Sequence, residues 1–470
     1  MGDKMKAAKR TIIFNEELCT VGHDHAVVTW VTDRPCPGAA VHFGENPSRL
    51  DKAALSDGGQ YHLAELTGLK PSSRYWYRVE SGGARGPLNC LDTLPAPPGR
   101  LLFRFGIITD THVCAGKAYN DPNRMFFGKL SEFAGTLLSQ AISDIRRRNV
   151  DMAVFTGDFT DTGDYLQYVD MRSKLELLGN VPCLLGIGNH DKFTRFGGVG
   201  ERGFYDYLAD RGQGYQCVLF NDHTFIVLDS CRVDENKGYL PAEQLRWLED
   251  RLNEGGGRPA LIFLHHPAHG FDLWFGLTNH REFTAIIDRH PNVWGVFCGH
   301  LHRNKITAGA GAVPYVEVCA TVQYPCGYAV AGVYEGGFTY NAYKVSRIDL
   351  SEMSRERFIL KDDDKALLTW YSFGGPGDRS FCRFNGHLHQ PRLYELFFAT
   401  DHHRALALYQ QTQPVQGASL TPVGAGVSMV LLGSFPAPDL AENARQRAWV
   451  RYGIKARVNG RTGTGPRRRL

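Results

Sequence analysis

No run in the 470 residues approaches the roughly 18 consecutive apolar residues of a membrane span. The best candidate, Val423 to Phe435, is too short and is interrupted by glycine. The first ten residues are charged and have no apolar stretch of the kind a secretory signal carries, so a cytoplasmic location and no membrane partner are expected. Paired cysteine spacing is also missing. The eleven cysteines are an odd count, mostly inside apolar runs such as Phe297-Cys298 and Val318-Cys319. That placement argues for buried reduced thiols and against a disulfide framework. No internal repeat is evident, which excludes a repeat architecture. A net positive balance is missing outside the end of the chain. The formal net charge is +4, but residues 445 to 470 hold nine Lys and Arg and no acid, leaving the remainder at −5. With Gly, Thr and Pro interleaved, that basic end reads as a solvated, disordered tail, and no specific nucleic-acid partner is implied.

What the chain does have is apolar content, 43%, and a length that calls for two or three domains. Residues 11–95 read as an all-β sandwich. Strand-like runs at Ala26 to Val31 and Tyr75 to Val79 are separated by Pro, Gly, Asn and Ser. The segment 94–99, Leu-Pro-Ala-Pro-Pro-Gly, is a stiff linker. From Leu101 apolar strand-like runs alternate with helical patterns, the rhythm of a layered α/β sheet. Strands are expected near 103–108, 152–155, 183–187, 225–228, 260–264 and 293–297, with helices near 131–148, 242–252 and 281–289. Strands return at 315–318 and 328–333. Residues 346–470 form an extension of uncertain fold, with a histidine-rich patch (His387, His389, His402, His403) and the basic tail from about 445.

Five short polar patches end apolar runs in the α/β region: Asp110-Thr111-His112, Gly157-Asp158, Gly188-Asn189-His190-Asp191, His265-His266-Pro267 and Gly299-His300-Leu301-His302. In open α/β sheets ligands gather at the C-terminal ends of the strands, so patches spread over nearly 200 residues can meet in one cleft. Glycines beside Asp158, Asn189 and His300 allow the sharp turns and close approach this needs. Together the patches offer carboxylates, an amide oxygen and imidazoles, the donor set for a pair of divalent metals, with Mn, Fe, Zn and Co all acceptable. Two metals activate a water and neutralise phosphoryl charge, the requirements of phosphoester hydrolysis. One carboxylate must bridge them, and Asp158 is the natural choice. The departing alkoxide needs a proton, and His190, beside a ligand but not required as one, fits that task.

The set D-x-H, G-D, G-N-H-D, H-H-P and G-H-x-H, in this order over residues 101–345, resembles the calcineurin-like metallophosphoesterase superfamily. The resemblance implies an α/β fold of mixed β-sheets flanked by helices, preceded by the small all-β domain. It implies that Asp110, His112, Asp158 and His302 surround one metal, and that Asp158, Asn189, His265 and His300 surround the other. It makes His190 the leaving-group acid and Asp161, three residues after the bridging aspartate, the group that orients it. Purple acid phosphatases carry an iron-binding tyrosine where this chain has Asp161. The run 157–163, Gly-Asp-Phe-Thr-Asp-Thr-Gly, is closer to cyclic-nucleotide and glycerophosphodiester phosphodiesterases. Leu66 to Pro71 followed by Tyr75-Trp76-Tyr77 resembles a fibronectin type III or purple-acid-phosphatase N-terminal sandwich. Residues 244–248 resemble the helix that precedes the H-H-P strand.

The expected function is therefore di-metal hydrolysis of a small-molecule phosphoester, a diester being favoured. A broad phosphomonoesterase and a non-catalytic interaction protein are the other readings. His266 is expected to support the site or face substrate. Asp191 is left open between orienting a neighbour and bonding a turn. The motif Gly386-His387-Leu388-His389 repeats the letters of 299–302 but is set aside, because no strand comparable to 293–298 precedes it. Aromatics at 119, 126, 127, 271, 274 and 275 could stack a base or pack as a lid, interface or core.

Overall fold

The apolar alternation of residues 11–95 becomes the strands of two antiparallel sheets. In a computed structural model, residues 11–115, 128–209, 214–268, 275–359, 369 and 371–391 are described, with four further strands at Leu393–Asp401, Ser419–Gly424, Val427–Phe435 and Arg457–Arg461. The chain divides into two units, Met1–Leu94 with Pro391–Arg461, and Pro95–Gln390 with Thr462–Leu470.

In the first unit, His25–Thr32 lies between Ile13–Val21 and Tyr61–Thr67, and Ala40–Gly44 and Arg74–Ser81 form the centre of a second sheet. Along Arg74–Ser81 the residues Tyr75, Tyr77 and Val79 are buried while their neighbours face outward, the period of two that a half-buried strand requires. They meet Val28, Trp30 and Val41 in one core. Each such side chain contributes about 1.5–3 kcal/mol of burial. Trp30 donates its indole N–H to Ser81 Oγ at 2.9 Å, and the Tyr75 hydroxyl accepts from the Lys70 backbone N–H at 3.0 Å. The second bond pins the Leu66 to Pro71 turn to the aromatic strand, the tyrosine-corner device of such sandwiches.

The second unit holds two sheets. One runs, in spatial order, Cys183–Leu185, Met152–Phe155, Leu101–Ile108, Gly327–Tyr334, Gly337–Lys344, Ser380–Phe384 and His387–His389. The other runs Gln216–Phe220, His223–Val227, Ala260–Phe263, Val293–Cys298, Pro314–Glu317 and Lys305–Ala308. Phe105, Ile107, Val154, Phe225, Phe263 and Phe297 share the core between them. Helices Ala242–Glu254 and His280–Arg289 cover the outer face of the second sheet through Leu245, Leu248, Phe283 and Ile287. No helix among the described residues is long and apolar enough to cross a membrane.

Residues 346–470 do not act as one extension. Ile348–Ile359, Ser380–Phe384 and His387–His389 belong to the second unit, whereas the strands from Leu393 onward group with the N-terminal unit. The tail read as disordered carries a strand at Arg457–Arg461, paired with Leu393–Asp401. Its partner is some 60 residues away in sequence, so no local pattern announced it. The rest of the tail, His402, His403 and all the loop aromatics except Phe275 lie outside the described residues.

Candidate metal centre

The pairing of the strands brings the five patches to one edge. Leu101–Ile108, Met152–Phe155 and Cys183–Leu185 are parallel neighbours, as are Ala260–Phe263 and Val293–Cys298 in the facing sheet. Their C-terminal ends therefore emerge together, carrying Asp110, Asp158, Asn189, His265 and His300.

Three groups of donors lie within 4.8 Å of one another: Asp110, His112 and His302; His112, Asp158 and His190; and Asp158, His265 and His300. Asp158 joins two of them with different oxygens. Its Oδ1 lies 3.4 Å from His265 Nε2 and its Oδ2 lies 3.5 Å from His112 Nε2. Asp110 Oδ1 is 3.3 Å from His302 Nε2, and Asn189 Oδ1 is 2.9 Å from His265 Nε2. Every ligand residue expected from sequence is thus present in one cluster. Asp110, His112, Asp158, Asn189 and His265 are at most 1% exposed, while His190, His300 and His302 are only partly buried and form the open face.

The backbone is bent to achieve this. Asp110, His112, Asp158, His300 and His302 all adopt positive φ, between 44° and 71°, a conformation that L-residues other than glycine seldom take. Strain of this kind, of order 1–3 kcal/mol per residue, collects at functional sites and is held by the surrounding structure. Gly299 is required for another reason: a β-carbon there would collide with Thr109 Oγ1 and Asp110 Oδ2. The His300 N–H donates to both Asp110 oxygens, at 3.1 and 3.0 Å, so the first and last patches are laced together.

The far sides of His265, His302 and His190 are also engaged, which fixes the orientation of those rings. His265 Nδ1 donates to the Thr156 carbonyl at 2.9 Å, and His302 Nδ1 pairs with Gln323 Oε1 at 2.7 Å. His190 Nδ1 donates to the Asp161 carbonyl oxygen at 2.7 Å. This revises the expectation for Asp161. Its main chain, not its carboxylate, orients His190. The carboxylate receives Lys129 Nζ at 2.8 Å and lies 3.4 Å from His112 Nδ1.

Asp191 accepts from the N–H groups of Phe159, Thr160 and Gly188 and from Thr160 Oγ1, at 2.8–3.2 Å. The turn bond is present, from the Gly188 N–H three residues earlier, and the other bonds tie that turn to the Asp158 loop. His266 is fully buried. Its Nδ1 meets Ser230 Oγ at 2.9 Å and its ring packs on His300 with centroids 4.5 Å apart. It supports the cluster rather than facing substrate. Gln323, Lys129 and Gln167, which accepts from the Asp161 and Thr162 N–H groups at 3.0 and 2.9 Å, were not legible in the sequence. None has a local motif.

The donors suit a cation. Imidazole nitrogens face each other at 3.1 Å (His112 and His302 Nε2) and 3.2 Å (His300 Nδ1 and His265 Nε2). Such a pair is held either by a proton shared between the two nitrogens or by a cation that both can ligate. Burial alone would raise the carboxyls of Asp158 and Asp110, but the surrounding imidazoles, His265 and His302 foremost, hold both below the usual carboxylate range. Burial pushes His112 and His300 down to about 3, leaving them neutral. His265 moves the other way: against the cost of burial, Asp158 raises it to about 9. At neutral pH the site therefore has ionised carboxylates, two neutral imidazoles and one proton that metal binding must displace.

His387 and His389 are in none of these groups. Contrary to the sequence expectation, a strand does precede them. Ser380–Phe384 pairs antiparallel with His387–His389 as a hairpin at the edge of the first sheet.

The family model for calcineurin-like phosphoesterases matches residues 103–304. A probable cyclic nucleotide phosphodiesterase of Synechococcus sp. is 30% identical over 183 residues, covering 38% of this chain and 68% of that protein. A 3',5'-cyclic-nucleotide phosphodiesterase of Nostoc sp. is 33% identical, covering 33% of this chain and 58% of the relative. A probable glycerophosphodiester phosphodiesterase of Arcobacter nitrofigilis is 29% identical, covering 36% and 64%. The chain thus spans about 60% of the length of the last two.

Proposed function

We propose that this chain, which belongs to the calcineurin-like phosphoesterase family, hydrolyses phosphodiesters at a centre of two divalent metals. The observation that carries the reading is Asp158, whose two oxygens face two separate donor groups. Asp110, His112, Asp158 and His302 would hold one metal, and Asp158, Asn189, His265 and His300 the other. When bound, the metals supply an activated water and neutralise charge on the phosphoryl group. Imidazole, carboxylate and amide oxygen accept Mn, Fe, Zn or Co, so availability selects the metal.

The remaining chemistry belongs to the chain. A carbonyl cannot donate, so His190 Nδ1 must carry its hydrogen toward Asp161 O, and Nε2 is the nitrogen that gains and gives a proton. Burial lowers the pKa of His190, with Asp158 opposing. Water adds across the ester bond: its oxygen goes to phosphorus, the P–O bond to the alcohol breaks, and His190 protonates the alcohol oxygen. The catalytic residue is then His190, with Asp161 positioning it through the main chain and steadying His112 through the carboxylate.

The names of the relatives support a cyclic nucleotide or a glycerophosphodiester as substrate class. A cytoplasmic location is part of the same reading, supported by eleven cysteines that are thiols, nine of them buried. The 11–95 sandwich is assigned a structural role. Turnover of bis(p-nitrophenyl) and mono(p-nitrophenyl) phosphate with added Mn²⁺ tests the proposal. Faster diester cleavage is expected. Faster monoester cleavage would make the chain a phosphomonoesterase, and turnover of neither would leave an interaction protein.

A further inference from the structure

Two rings lead outward from His190, and the outer one is fixed at the surface with more restraint than an exposed side chain needs. Phe193 is 1% exposed and its ring centroid lies 4.5 Å from that of His190. Phe196 packs edge-on against Phe193 at 5.7 Å, yet remains 51% exposed. The Arg195 guanidinium lies over both rings, 4.0 Å from the Phe193 centroid and 5.1 Å from that of Phe196. Its Nη1 and Nη2 donate to the Asp234 carbonyl at 3.1 Å and to Asn236 Oδ1 at 3.3 Å.

The backbone beneath is clamped on both sides. The Thr194 and Arg195 N–H groups donate to Asp234 Oδ1 at 2.8 and 3.0 Å, and Thr194 Oγ1 donates to Oδ2 at 2.5 Å. The Val199 and Gly200 N–H groups donate to the Gly163 carbonyl at 2.8 and 3.2 Å, seating the loop on the segment that carries Asp158 and Asp161. Phe196 buries too little of itself to account for this architecture. A flat π-surface held rigid one ring out from the proton donor, with Phe193 between, loses little freedom when another flat ring stacks on it.

We propose that Phe196, held by Arg195, is a specificity-determining seat for an aromatic base on the alcohol side of the substrate. The diester then approaches with its base on Phe196 and its scissile oxygen toward His190, on the open face of the cluster. The inference rests on the phosphodiesterase reading and deepens it: base-bearing nucleotides are selected over diesters of aliphatic alcohols such as glycerol. Arg195 acts through Phe196 and is a positioning residue, since both its terminal nitrogens are already engaged.

The test compares wild type, Phe196→Ala, Phe196→Trp and Arg195→Lys on 3',5'-cyclic AMP and on glycerophosphoethanolamine with Mn²⁺. Calorimetric binding of AMP and of glycerol 3-phosphate to the same Mn²⁺-loaded proteins accompanies it. Phe196→Ala is expected to raise KM for cyclic AMP and weaken AMP binding by roughly tenfold, the loss of one stacked base. Its kcat, and both glycerol compounds, should be unchanged. Phe196→Trp should restore nucleotide binding, and Arg195→Lys should fall between. Equal losses for nucleotide and glycerol ligands, or none for either, would overturn the seat. A wild type that cleaves neither diester would defeat the phosphodiesterase reading, while the binding of AMP against glycerol 3-phosphate would still decide the seat.

Discussion

The chain writes Gly-His-Leu-His twice. At 299–302 the letters follow a strand whose C-terminal end opens on the cluster, and the glycine is there because Asp110 comes too close for a side chain. At 386–389 the glycine follows Asn385, and the two adopt φ of 70° and 51°. That is the Asn-Gly turn that matches the twist of a two-residue hairpin. The histidines after it form an edge strand, His387 exposed and His389 stacked on Phe384 at 4.4 Å. In the first copy the backbone itself takes positive φ at His300 and His302, and the rings are held by Gln323 and by neighbouring donors. A ligand motif is thus made by what holds its residues, and the letters alone do not distinguish a metal site from a turn.

The comparison breaks first at the ligands. His300→Ala should remove one of two bound metals and bring diester turnover to background, whereas His387→Ala and His389→Ala should alter neither. Elemental analysis with a p-nitrophenyl diester assay reads both. Next, His190→Ala should keep both metals and lose about 10²–10⁴-fold in rate on an alkyl diester, with a much smaller loss when p-nitrophenolate leaves unaided. Metal content and the two rates separate this acid from a ligand. Gln323→Ala takes away the partner of His302 and should weaken metal binding by roughly 10–100-fold, measured by calorimetric titration. The smallest effect belongs to the second copy: Gly386→Ala should cost about 1–2 kcal/mol in chemical denaturation for its left-handed backbone, with metal binding unchanged.

Much of the cluster was legible because each patch joins chemistry-bearing letters to the end of an apolar strand, and parallel strands bring such ends together. The strands near 152–155, 260–264 and 293–297 were read to within a residue. Helix Tyr165–Leu175 was not, since Tyr165, Leu166 and Val169 are exposed among its apolar residues and spoil the stripe. Gly337–Lys344 was not read as a strand either, although Phe338, Tyr340 and Ala342 alternate with Thr339 and Asn341; the strand is buried along its whole length. For Asp161, position in the sequence does not tell carbonyl from carboxylate: the carbonyl meets His190, while the carboxylate pairs with Lys129, 32 residues earlier. The Asn385-Gly386 pair is itself a hairpin signal in the sequence.

The central claim is that Asp158 joins two metal sites. Titration of metal-stripped protein with Mn²⁺, followed by calorimetry and elemental analysis, tests it directly. Two Mn²⁺ per wild-type chain, with affinity at both sites collapsing in Asp158→Asn, is the predicted result. Fewer than two in the wild type, or two bound with undiminished affinity in Asp158→Asn, would contradict it.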